Sequence, residues 1–106
     1  MSLFIMLTRL SHEALKSPSS LENLERNVKE RIEAECPDVK WKGNYAVLGP
    51  CDYLDIFEAS DNDAATKVAT IIRTFGHAET ETWCATEWKK FKELVSYLPP
   101  AFREEA

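Results

Sequence analysis

A chain of 106 residues with 44% hydrophobic and 10% aromatic side chains has the size and the apolar content of one folded unit. Its formal net charge of −5 leaves no basic footprint for phosphate backbones or anionic bilayers, so neither nucleic acid nor a membrane is an expected partner. Three cysteines, Cys36, Cys51 and Cys84, make an odd set without a C-x-x-C pair; reduced thiols in the cytoplasm are the simple expectation.

The first element is the run LFIML, Leu3 to Leu7. It has no basic region before it and Arg9 follows closely, so it is too short for a signal peptide or a membrane span and reads as a buried strand. A polar loop with His12, Pro18 and several serines leads to a helix over about 20 to 36. There Leu21, Leu24, Val28 and Ile32 recur at helical spacing, Ser19 with Glu22 resembles a capping box, and Pro37 stops the helix. Val39 to Leu48, with Trp41, Tyr45 and Val47, reads as a strand, and Gly49-Pro50-Cys51-Asp52 as a turn in which the Asp52 side chain bonds nearby amides.

Tyr53 to Ala59 alternates, with Leu54 and Ile56 on one face and Tyr53, Asp55 and Phe57 on the other. Ser60 to Asp63 offers N-cap oxygens to a second helix whose stripe is Ala65, Val68, Ile72 and Phe75. It ends at Gly76, a residue suited to a left-handed position. Thr80 to Cys84 suggests a last strand, and Trp88, Phe91, Leu94, Val95 and Leu98 a short terminal helix closed by Pro99-Pro100. One domain over 1–98 with a loose tail at 99–106 follows.

The order β-α-β-β-α-β plus a helix predicts an α+β, ferredoxin-like antiparallel sheet with both main helices on one face. A sheet open to water on its other face should alternate apolar with polar, whereas Leu3 to Leu7 is apolar throughout. Both faces of this strand should therefore be covered, one of them by a second copy in a homodimer. Leu54 and Ile56 are expected to point to the helices, which sends Asp55, with Tyr53 and Phe57, to the face between subunits.

The segment LGPCDYLDIFEASDNDAATKVATIIRTFGHAETETW resembles the GYD family, named for a Gly-x-Tyr-Asp turn. Gly49 and Asp52 match that turn, and Cys51 stands where the family has tyrosine. The likeness takes in the loop KSPSS and the first helix and covers about residues 3 to 97. The resemblance implies a ferredoxin-like fold of the dimeric α+β barrel group, with a cleft between two facing sheets, and no established reaction. Monooxygenases, isomerases and haem-degrading enzymes share the fold, which does not choose among them.

Asp55, flanked by Tyr53 and Phe57, is the sharpest candidate: a partly desolvated carboxylate acting as general base, or one that only accepts hydrogen bonds. His12 and His77 have no acid or thiol at a diagnostic spacing. A metal site built from them, or haem ligation, is the weaker reading, and no metal or cofactor is expected. Cys51 and Cys84 read as small apolar fillers, and Trp41, Trp83 and Trp88 as core or interface anchors. Two functions stay open, with a purely structural interaction module as a third if side chains fill the cleft. One is a homodimeric small-molecule-binding or regulatory protein whose cleft is lined by Tyr45, Tyr53, Asp55, Phe57 and the first strand. The other is a cofactor-free isomerase or monooxygenase-like enzyme using Asp55 with His12 or His77 as acid and base.

Overall fold

A computed structural model describes residues 1–12 and 14–100; most of the expected loose tail lies outside the described residues. The elements in chain order are β1 (Ser2–Leu10), α1 (Pro18–Glu35), β2 (Lys40–Ala46), β3 (Tyr53–Ala59), α2 (Asn62–Phe75), β4 (Ala78–Ala85) and α3 (Trp88–Val95). The four strands form one sheet in the order β2-β3-β1-β4, and every neighbouring pair is antiparallel. This is the ferredoxin-like arrangement the sequence pattern predicts.

Local chemistry explains where the helices begin. The Ser17 hydroxyl accepts from the Ser20 amide at 3.1 Å and Pro18 opens the first turn, so α1 is capped two residues before Ser19. At α2 the Asp61 carboxylate accepts from the Ala64 amide at 2.9 Å, Asp63 lies in the first turn and Arg73 in the last, both favourable to the helix dipole. Gly76 ends α2 with φ −96°, not in the left-handed region; His77, with φ 49°, takes that conformation instead. Glycine is needed at 76 for close approach, because a Cβ there would lie 2.6 Å from the Ile72 carbonyl oxygen and 3.1 Å from Val28 Cγ2.

The core forms where α1 and α2 cover the sheet, with Ile32, Val68, Ile71 and Ile72 against Phe4, Met6, Phe57 and Ala59. The Phe57 ring stacks on Phe4 at 5.6 Å and meets Trp41 at 5.2 Å. This packing reverses the expected facing of β3. Phe4 pairs with Phe57, Met6 with Asp55 and Thr8 with Tyr53, so Tyr53, Asp55 and Phe57 lie on the helix-covered face. Leu54 and Ile56 lie on the open face with Leu3, Ile5 and Leu7. Aliphatic content could not choose between the faces of β3, since each carries large apolar side chains. The choice falls to ring packing: the small and branched side chains of α2, Ala65, Val68 and Ala69, leave room for Phe4 and Phe57 beneath them.

Candidate functional site

The helix-covered face is apolar at one end and polar at the other. Along β1 the series Phe4, Met6, Thr8 passes from ring to hydroxyl, and its neighbours follow: Asp55 and Tyr53 on β3, Thr82 and Thr80 on β4, with Asn44 of β2 beside Asp55. Antiparallel pairing thus gathers a carboxyl, a phenol, an amide and three hydroxyls from four strands on one face.

Asp55 is 3% exposed, and the Asn44 side-chain amide donates to its Oδ1. Burial pushes its carboxyl up to about 6 and the Glu25 carboxylate of α1 pushes the same way, against the lowering effect of the Asn44 hydrogen bond. Burial also raises the Tyr53 phenol, to about 12, with Asp55 adding to the rise. Thr8 is fully buried, and the hydroxyls of Thr8 and Thr82 have no hydrogen-bond partner among the described residues. Such a group sets a carboxyl raised to about 6 beside a phenol raised to about 12, a combination suited to proton transfer.

A second polar region lies at the sheet end where β1 finishes and β4 begins. The Asp52 carboxylate accepts from the Leu10 amide at 2.6 Å, and its own amide donates to the Thr8 carbonyl at 2.9 Å, so the turn residue continues the β1–β3 ladder. The turn reading expects Asp52 to bond amides close to it in the chain; its side chain instead ties the turn to the Leu10 amide of β1. An open cavity of about 710 Å³ here is lined by Arg9, Ser11, Arg73, His77 and Glu79 among others. Arg9 Nε donates to the Pro50 carbonyl at 3.2 Å, and Arg73 bonds Thr80 through its hydroxyl and its carbonyl, both at 2.9 Å.

The residues expected to act together are divided by this architecture. The Ser11 amide donates to the His77 carbonyl at 3.2 Å, which brings the loop carrying His12 beside His77 at the sheet end. Asp55 sits opposite Met6, four residues back from Leu10 and so about 13 Å along the strand at ~3.3 Å per residue. The carboxyl and the imidazoles are therefore not one acid–base pair. Tyr45 pairs with Leu54 and is exposed on the open face, apart from Tyr53, Asp55 and Phe57, so the four residues expected to line one cleft occupy opposite sides of the sheet. Among the described residues no three His, Cys, Asp or Glu side chains gather as a metal ion requires. Sequence reasoning missed Asn44, Thr8 and Thr82. The hydroxyls at alternate positions of β1 and β4 were the available signal, but it acquires meaning only with the strand register.

The GYD domain family profile matches residues 4–95. Among solved structures, the solution NMR structure of a de novo designed protein with ferredoxin fold, LFR1 1, is 9% identical, with 82% of this chain and 86% of that chain covered and a TM-score of 0.45. The crystal structure of protein Atu4242 from Agrobacterium tumefaciens is 18% identical, covers 83% of this chain and 96% of that chain, and has a TM-score of 0.47. No curated protein matches the chain.

Proposed function

The chain belongs to the GYD domain family, and from that premise we propose that it is a homodimer whose open sheet faces meet around a cleft that binds a small apolar or aromatic molecule. One observation carries this reading: Leu3, Ile5, Leu7, Leu54 and Ile56 form a continuous aliphatic stripe on the sheet face that no helix covers. Tyr45 and Trp83 flank it, both exposed. A face of this kind is a contact surface, and a second copy brings an identical stripe to a self-complementary, twofold interface. Leu54 and Ile56 take the lining role first expected of Tyr53, Asp55 and Phe57. Three free thiols support a reducing, cytoplasmic setting; no helix among the described residues is long and apolar enough to cross a membrane. Sedimentation at micromolar concentration should give the mass of a dimer, and apolar probes should raise the thermal midpoint of the native protein. A monomer at that concentration would end the proposal.

A second reading rests on Asp55. A buried carboxyl raised to about 6, hydrogen-bonded to Asn44 and two residues along β3 from Tyr53, supports a cofactor-free enzyme of isomerase or monooxygenase type, with the proton carried by Asp55 and no histidine involved. Hydrogen exchange of enolisable carbonyl compounds in heavy water tests it. Exchange that is no faster with the native protein than with Asp55→Asn would exclude it.

A further inference from the structure

We infer that α3 is an exchanged arm: in the homodimer it packs on the second copy, along the β4 rim of that copy's open sheet face. The inference rests on the homodimer reading above and adds to it the element that holds the two copies together.

The helix is built for a surface it does not meet in its own chain. Trp88, Phe91, Leu94 and Val95 follow helical spacing, their exposures run from 36% to 70%, and no residue of α3 is buried. Leu98 continues the stripe, also exposed. Trp88 and Phe91 stack on each other at 5.1 Å, so these two large rings have found each other and no core. An isolated helix of eight residues is marginal in water, so its stability must come from packing.

Its own domain does not supply that packing. The radius of gyration is 17.6 Å, where a compact chain of this length has about 13 Å, and the long axis reaches 64 Å against 30 and 17 Å for the others. The two longer helices already cover the far side of the sheet, leaving the open face as the large apolar surface without a cover.

Charge selects the partner surface and the rim. Lys89, Lys90 and Lys92 against Glu93 give α3 a charge of +3 − 1 = +2, so the rest of the chain carries −5 − 2 = −7. A second copy is therefore an acidic target for a basic helix. On the open face the β2 rim bears Lys40 and Lys42, the latter in an ion pair with Glu58 at 2.9 Å, while the β4 rim bears Glu79, opposite Arg9, and Glu81, which accepts from the indole of the exposed Trp83 at 3.0 Å. The β4 rim offers two acids beside an exposed indole, whereas at the β2 side Tyr45 is accompanied by a single acid, Glu58, already paired with Lys42.

The test uses the full chain. In dimers reconstituted from isotope-labelled and unlabelled protomers, filtered NMR spectra should show contacts between the Trp88 and Phe91 rings of one chain and Trp83 of the other. Contacts within one chain only, or none, in a sample shown to be dimeric would overturn the exchange while leaving the dimer intact. Lys89→Glu with Lys92→Glu, which touches no buried residue, should raise the dimer dissociation constant tenfold or more, and adding Glu79→Lys with Glu81→Lys should restore it. An unchanged dissociation constant in the first variant counts against the exchange. A native chain that stays monomeric at all concentrations removes the homodimer reading itself, and the arm with it.

Discussion

Asp55 shows how a single position changes meaning with its surroundings. Its carboxyl titrates at about 6 in the folded chain and near 4 when unfolded, so the native state binds this proton more tightly. The resulting stabilisation is complete below about pH 4 and is lost as pH rises through about 6, a span of two units or roughly 3 kcal/mol. Burial is the main cause, Asn44 opposes it through its hydrogen bond, and Glu25 on α1 adds to the rise. Asp55→Asn keeps an acceptor for Asn44 and removes the buried charge. The variant should be at least as stable as the native protein at pH 7, with the slope of stability between pH 4 and 6 flattened in urea titrations. A loss of more than about 1 kcal/mol at pH 7 would contradict this account. Cys36 and Cys51 are buried, burial raises the Cys36 thiol, and Cys84 is exposed. Native alkylation should label Cys84 first, and rapid labelling of Cys36 would contradict its placement.

At the scale of elements, the helix ends show which signals are readable locally. Asp61 falls within the stretch expected to cap α2, because an acid before a regular apolar stripe has one obvious use. The start of α1 is ambiguous in the sequence because Ser17, Ser19 and Ser20 all offer a hydroxyl, and the choice depends on Pro18 taking the first helical position. Ser17→Ala and Asp61→Ala should each cost about 1 kcal/mol in chemical denaturation, and a null effect at either would mean that its cap bond is not formed. Gly76 ends α2, as its position after the apolar stripe suggests, but not through a left-handed backbone: φ there is right-handed and the constraint is the approach of Ile72 and Val28. Gly76→Ala should therefore destabilise through a clash, and it should be partly rescued by trimming Val28, which relief of a left-handed strain would not produce.

For the whole molecule, the open stripe and the outstretched α3 are two unsatisfied apolar surfaces on one chain. Ile56→Glu, in the middle of the stripe, should leave the circular dichroism spectrum native and shift the sedimenting species to a monomer. A dimer of unchanged affinity would mean that the copies meet elsewhere.

The sequence by itself determined the element order, the ferredoxin-like topology and the conclusion that β1 has two apolar faces, because periodicity and turn residues act over a few positions. It also singled out Asp55 by its apolar flanks. Only the tertiary structure decided which face of the sheet the helices cover. Alternation states that Asp55 opposes Leu54 and Ile56, but not which set is covered, and that depends on rings brought together from β1, β2 and β3. The pairing of Asn44 with Asp55, the placing of Thr8 and Thr82 on the same sheet face and the separation of both histidines from it follow from strand register, which joins residues far apart in the chain.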